Sequence, residues 1–238
     1  MTTRTRAKLL VAKDRGELRR LAAEVIARKI HAAVQARGLC TMALSGGSTP
    51  GPVYEELGES DLAAKIPWSQ IEIYFADERN VPLDHPESNY RLVKETLLKS
   101  HPESLGRMFR MPADAADRDL AARRYARRLP DPLDLLVLGM GADGHTASLF
   151  PGSAALDEHE QRVVAVTGPK APFERMTITP AVIARTRTIV MIAAGAEKAP
   201  MVARALDALA DPKAVPAQLA RRGTWIVDQA AAGNLPPS

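Results

Sequence analysis

Cysteine is nearly absent from this chain, and so are several features that mark common protein classes. The single Cys40 excludes an internal disulfide framework, and its place in an apolar run predicts a buried structural thiol. Aromatic residues make up only 4% of the chain, which speaks against stacking platforms for nucleic-acid bases. The formal net charge of +4 mildly favours anionic small ligands and is too small to argue nucleic-acid binding. No apolar run approaches the roughly 20 residues of a membrane span, and the first residues lack the apolar stretch of a signal peptide. A cytoplasmic protein that keeps off membranes is therefore expected. The five histidines, at positions 31, 85, 101, 145 and 159, form no H-x-x-x-H pair and join no cysteine cluster, so no metal is expected. A Walker loop is missing, and Pro50 spoils any G-x-S-x-G elbow around Ser48. Internal repeats and low-complexity tracts are missing too.

What is present is ample apolar content, 46% of 238 residues, enough for a substantial core. Short apolar runs read as strands at Leu39 to Leu44, Ile71 to Phe75, Leu135 to Leu138, Val163 to Val166, Met176 to Thr179, Thr188 to Ala193 and Trp225 to Val227. Between them lie helical stretches. One is capped by Asp14, runs to Arg37 and is closed by Gly38, with Leu18, Leu21, Val25 and Ile26 on one stripe. Others are expected near Pro52 to Leu57, Tyr90 to Lys99 and Asp117 to Leu129, and a last one opens at Gly195 to Lys198. Arg123, Arg124, Arg127 and Arg128 read as a solvated helix face. The alternation implies an α/β fold: three layers, a mostly parallel twisted sheet with helices on both faces, a modified Rossmann-like arrangement. Pro130-Asp131-Pro132 is the best candidate boundary, but it serves equally as a stop between helix and strand. One domain over residues 1–238 is expected.

The segment Leu133 to Pro151 carries the most chemistry. A short strand leads into Gly139, Gly141, Gly144 and then His145, placing an imidazole on a loop at a strand's carboxyl end, where open α/β sheets bind ligands. Imidazole titrates near neutrality, so it can take a proton from water and return it. Gly139-x-Gly141-x-x-Gly144 also matches the dinucleotide fingerprint. However, Pro151 and Gly152 interrupt the helix that motif needs, and the strand Arg162 to Val166 ends in Thr167-Gly168 rather than an acidic residue. No nucleotide cofactor is expected.

Four loops follow apolar runs: Ser45 to Pro50, Asp77 to Asn80, Gly139 to His145 and Gly195 to Lys198. A parallel sheet gathers them along one edge, bringing together Ser48, Thr49, Asp77, Arg79, His145 and Lys198. The glycine turn at Gly46 and Gly47 offers backbone N–H groups before a helix, suited to an anion or a developing oxyanion. Arginine and lysine add positive charge. Together these loops describe a site for a small phosphorylated substrate with a histidine base.

Three sequence blocks resemble the signatures of the 6-phosphogluconolactonases: Ser45-Gly46-Gly47-Ser48-Thr49-Pro50; Asp77-Glu78-Arg79-Asn80-Val81-Pro82 with Ser88-Asn89-Tyr90; and Gly139-Met140-Gly141-Ala142-Asp143-Gly144-His145-Thr146-Ala147-Ser148-Leu149-Phe150-Pro151. Arg175-Met176-Thr177-Ile178-Thr179 and Gly195-Ala196-Glu197-Lys198-Ala199 are similar to later blocks, so the resemblance spans essentially the whole chain. It implies hydrolysis of 6-phosphoglucono-δ-lactone to 6-phosphogluconate by His145-activated water, without metal or cofactor. It also implies a phosphate near Arg79, Arg175 and Lys198, with Gly46, Gly47, Ser48 and Thr49 close to the substrate. Either Asp77 or Asp143 would orient the histidine. A monomer or weak homodimer is expected. The related glucosamine-6-phosphate deaminases are the alternative enzyme, but their Ile-Ala-Phe-Asn-Glu-Pro after Gly-His is replaced here by Thr146 to Pro151, and their Asp-Glu-Tyr by Asp77-Glu78-Arg79. A phosphosugar-sensing module is the third possibility. It is disfavoured by the intact His145 and by a length that leaves no room for a helix-turn-helix domain.

Overall fold

The computed structural model describes residues 7–209 and 211–236. In chain order its main elements are β1 (Lys8–Ala12), α1 (Arg15–Arg37), β2 (Cys40–Leu44), α2 (Pro50–Glu59), β3 (Ile71–Phe75), β4 (Asp77–Arg79), α3 (Asn89–Glu95), α4 (Arg118–Arg128), β5 (Leu135–Gly139), β6 (Val163–Thr167), β7 (Glu174–Ile178), α5 (Pro180–Arg185), β8 (Thr188–Ala193), α6 (Ala199–Leu206) and β9 (Thr224–Asp228). Local chemistry accounts for the helix ends. The Asp14 carboxylate accepts the Glu17 N–H at 2.8 Å, while Glu17 reaches back to the Lys13 N–H at 2.6 Å, a reciprocal cap. Gly38 closes α1 at φ 76°, a left-handed angle glycine adopts without steric cost. Asp117 caps α4 through the Leu120 N–H at 2.9 Å.

Six strands form an all-parallel sheet in the order β1-β9-β8-β5-β2-β3. Every residue of β2 and β9 is buried, so both sheet faces are covered, as continuous apolar strands require. Helix α1 covers β1, β2, β8 and β9 from one side. Cys40 lies fully buried in β2, where burial and then the nearby Asp134 charge push its thiol up to about 12. Beyond β3 the sheet ends, and its outward groups are met by other parts of the chain. The Phe75 N–H donates to the Tyr125 hydroxyl at 2.8 Å, and the Phe109 N–H donates to the Ile73 carbonyl at 2.8 Å. Arg123, Arg124, Arg127 and Arg128 are exposed on α4, with Arg128 lying 4.2 Å from the Phe109 ring centre.

The chain departs from the expected pattern in three places. Asp77 to Arg79 is a strand rather than a loop. Its residues have weak strand preference, but β7 supplies an antiparallel ladder that pairs Asp77 with Thr177 and Arg79 with Arg175. Strands β6 and β7 are separated by residues 168–173 without a helix, so they pair antiparallel and leave the large sheet. With β4 they form a second, three-stranded sheet in the order β4-β7-β6. Finally, β1 and α5 carry no strong sequence signal of their own: β1 is an edge strand with Leu9 and Val11 exposed, and α5 spans only six residues. One hydrophobic cluster includes residues of both sheets.

Candidate active site

The strand order locates the site. From β2 the chain moves to β3 on one side, whereas from β5 it proceeds through β8 to β9 on the other. Connections therefore part between β2 and β5, opening a crevice at their carboxyl ends, the usual binding place in such sheets. A cleft of about 180 Å³ lies there, its wall including Gly46, Gly47, Ser48, Thr49, Asp77, Arg79, His145 and Lys198. Of the residues expected to share a site, these eight meet around one space.

His145 is held by its own loop. Its Nδ1 lies 2.6 Å from Asp143 Oδ1, which also accepts the His145 backbone N–H at 3.1 Å. The Gly141 N–H donates to the His145 carbonyl at 2.9 Å, and the Thr146 hydroxyl to the Gly139 carbonyl at 2.9 Å. A Cβ at position 141 would sit 2.0 Å from His145 Nδ1 and 2.4 Å from Asp143 Oδ1, so glycine there makes room for the pair. Burial alone would raise the Asp143 carboxyl, but the hydrogen bonds from the His145 ring and backbone, with attraction to the ring whenever it is protonated, outweigh it and hold the group down to about 2. The His145 ring also leans on Phe150, with centroids 4.8 Å apart.

Asp77 has a different neighbourhood. Of the two aspartates considered for orienting His145, the one in contact is Asp143. The buried Asp77 carboxylate accepts the Ser148 hydroxyl at 2.7 Å and the Asn89 amide at 3.1 Å. Asn89 also donates to the Asp77 carbonyl at 2.8 Å and packs over Gly46, where a Cβ would lie 1.8 Å from Asn89 Oδ1. The Ser148 N–H in turn donates to Thr177 on β7 at 3.1 Å. Five segments, the loops after β2 and β5, strands β4 and β7, and the start of α3, are thus tied at one point. Ser148 and Asn89 stand inside the recognisable blocks, but the contact they share became visible only in three dimensions.

The electrostatics of the cleft are positive at two points. Lys198 is half-buried, at the end of a short turn before α6, and forms no ion pair among the described residues. That turn is positioned by buried Asp228, which accepts the Gly195 N–H at 3.0 Å, a role no sequence motif signalled. Arg79 donates through one terminal nitrogen to the Glu87 carbonyl at 2.6 Å and meets the Glu87 carboxylate at 3.3 Å. Its buried Nε has no hydrogen-bond partner among the described residues. Arg175, paired opposite Arg79 across the small sheet, does not line the cleft. It lies behind Phe150, 5.4 Å from that ring's centre, and donates Nε to the Pro172 carbonyl at 2.9 Å. Burial, and then the neighbouring Arg79 charge, lower the Arg175 pKa. At the glycine turn, the N–H groups of Gly46, Gly47, Ser48 and Thr49 find no acceptor among the described residues. Among the described residues no group of three or more His, Cys, Asp or Glu is placed to hold a metal, and no helix is long and apolar enough to cross a membrane.

A Rossmann-like sheet whose strand-end cleft gathers an aspartate-histidine pair, Arg79, Lys198 and a glycine turn with unsatisfied N–H groups has the chemistry to hold a small anionic molecule. Comparison with known proteins narrows this class. The chain belongs to the family described as glucosamine-6-phosphate isomerases/6-phosphogluconolactonase, whose model matches residues 13–227. A 6-phosphogluconolactonase of Synechocystis is 37% identical over 225 residues, covering 89% of this chain and 91% of that protein. One of Streptomyces coelicolor is 34% identical, covering 97% and 95% respectively. The solved structure of 6-phosphogluconolactonase from Trypanosoma brucei superposes with a TM-score of 0.85 at 28% identity, covering 98% of this chain and all of that one. A monomeric glucosamine-6-phosphate deaminase, 21% identical with a TM-score of 0.81, shares the fold.

Proposed function

We propose that this chain is a 6-phosphogluconolactonase, hydrolysing 6-phosphoglucono-δ-lactone to 6-phosphogluconate in the oxidative pentose phosphate pathway, with His145 as general base. The observation that carries the reading is the Asp143–His145 pair on the wall of a cleft that also holds Arg79, Lys198 and the unsatisfied glycine turn. Full-length similarity to proteins bearing that name supports it.

Asp143 accepts from Nδ1–H, which leaves Nε2 with its lone pair for the reactants. Nε2 takes a proton from water, and the resulting hydroxide adds to the lactone carbonyl carbon. The carbonyl electrons move onto oxygen, where backbone N–H groups of the Gly46-Gly47 turn stabilise the oxyanion. As the intermediate collapses, the bond between that carbon and the ring oxygen breaks, and His145 returns its proton to the departing oxygen. Arg79 and Lys198 hold the phosphate, with Arg175 adding charge from the neighbouring strand, while Ser48 and Thr49 face the sugar. In this reading Asp77 positions rather than reacts, because its carboxylate is already bound by Ser148 and Asn89. The whole chain acts as one domain, supported by the core shared between the sheets. Its substrate being a soluble sugar phosphate, this reading places the enzyme in the cytoplasm, as a monomer or weak homodimer.

The test is to assay lactone hydrolysis and amino-sugar deamination side by side on the purified protein, subtracting spontaneous hydrolysis. Hydrolysis without deamination is expected; the reverse would assign the chain to the deaminases. Glucono-δ-lactone without phosphate should be a poor substrate. Losing charge-assisted contacts worth about 1.5–3 kcal/mol each predicts a combined deficit in kcat/KM above about a hundredfold. Lys198→Ala should impair use of the phosphorylated lactone and hardly change the residual rate on the unphosphorylated one. Equal losses on both would remove Lys198 from phosphate binding.

A further inference from the structure

The cation expected to receive the substrate's phosphate is already engaged by an anion from the chain itself. Arg79 and Arg175 stand directly opposite one another on β4 and β7, a like-charge pairing that is unfavourable without an anion nearby. The loop between β4 and α3 returns to supply one: the Glu87 carboxylate lies 3.3 Å from the Arg79 guanidinium. The two halves of this contact differ in permanence. The Glu87 backbone is anchored, its N–H donating to His85 Nδ1 at 3.1 Å and its carbonyl accepting from Arg79 at 2.6 Å. The Glu87 side chain is 54% exposed and held by nothing else among the described residues, whereas that of Arg79 is only 18% exposed. The carboxylate is therefore free to leave while the main chain keeps Arg79 in place.

We propose that Glu87 is a built-in counter-anion, a stand-in for phosphate that competes with phosphorylated substrate for Arg79 and so sets the affinity of the site. This rests on the reading that Arg79 binds the substrate phosphate. A dianionic phosphate outcompetes a single, half-exposed carboxylate by charge and by its number of acceptor oxygens. An anionic ligand lacking that charge density does not, so Glu87 favours phosphate esters over sugar acids. The cost of the device is a weaker apparent affinity for every anion that enters.

The experiment compares wild type, Glu87→Gln, Glu87→Ala and Arg79→Ala as full-length proteins. Calorimetry gives the Kd of inorganic phosphate, and steady-state assays give KM for the phosphorylated lactone and kcat/KM for the unphosphorylated one. Exposed ion pairs of this kind predict that both Glu87 variants bind phosphate about two- to fivefold more tightly and lower KM by a similar factor. Their kcat/KM on the unphosphorylated lactone should not improve. If the Glu87 variants bind phosphate equally or more weakly while Arg79→Ala weakens it about tenfold or more, Glu87 is no competitor and the inference falls alone. If Arg79→Ala leaves phosphate binding and KM unchanged, the phosphate reading of Arg79 fails and takes the inference with it.

Discussion

Replacing Asp143 with asparagine isolates what the carboxylate contributes to His145. The substitution keeps size and shape, but it removes a negative charge that lies 2.6 Å from Nδ1. As His145 takes the proton from water it becomes a cation, and a charge-assisted hydrogen bond to Asp143, worth about 1.5–3 kcal/mol against about 0.5–1.5 for one to a neutral amide, is stronger by about 1–1.5 kcal/mol. At about 1.4 kcal/mol per factor of ten, kcat should fall about 5- to 13-fold. The asparagine N–H groups also favour the tautomer that donates from Nε2, which pushes the loss toward the upper figure. The pH profile offers a second reading of the same event. The Asp143 carboxyl is held down to about 2, so it stays ionised throughout the assay range. A carboxyl whose pKa is depressed by folding stabilises the fold above its unfolded value and loses that contribution as pH falls toward 2. Rate lost on mild acidification therefore belongs to another group. The measurement is initial hydrolysis rate against pH, blank-subtracted, with an unfolding midpoint to confirm a native fold. A folded Asp143→Asn enzyme with kcat within twofold of wild type would refute this account of the pair.

Three further outcomes follow from the geometry. His145→Ala should lower kcat by about 10²–10⁴, the usual contribution of a general base, and a folded variant with near-normal kcat would remove His145 from the chemistry. Gly141→Ala places a Cβ 2.0 Å from His145 Nδ1, so the loop must shift; kcat should drop at least about tenfold, a displacement of about 1 Å being enough for such losses, and an unchanged rate would show the pair tolerates that shift. Tyr125→Phe strands the outward Phe75 N–H at the sheet edge; urea unfolding should show a loss of about 1–3 kcal/mol with activity retained, and no loss would mean another acceptor replaces the hydroxyl.

The large sheet was legible because fully buried parallel strands leave uninterrupted apolar runs such as Leu135 to Leu138, and because Asp14, Gly38 and Asp117 mark helix ends by local chemistry. The small sheet was not, since Asp77-Glu78-Arg79 owes its extended form to β7, far away in sequence. The eight residues that line the cleft together were expected to meet because strand-end loops share an edge. Sequence left the choice between Asp77 and Asp143 open, and only distance resolves which carboxylate touches the ring. Glu87 carried no signal at all: its significance depends on a loop turning back, and one glutamate among 28 acidic residues does not stand out.

The two arginines and the histidine are carried by different sheets. His145 follows β5 of the large one, whereas Arg79 and Arg175 belong to the small one, and the Ser148 contacts to Asp77 and Thr177 form one visible seam between them. If the roles are as proposed, the small sheet supplies the arginine share of phosphate recognition, while proton transfer, Lys198 and the glycine turn belong to loops of the large one. Divergence within β4, β6 and β7 would then retune which esters are admitted while the proton-transfer apparatus stays intact, making the seam, rather than either sheet, the part least free to vary.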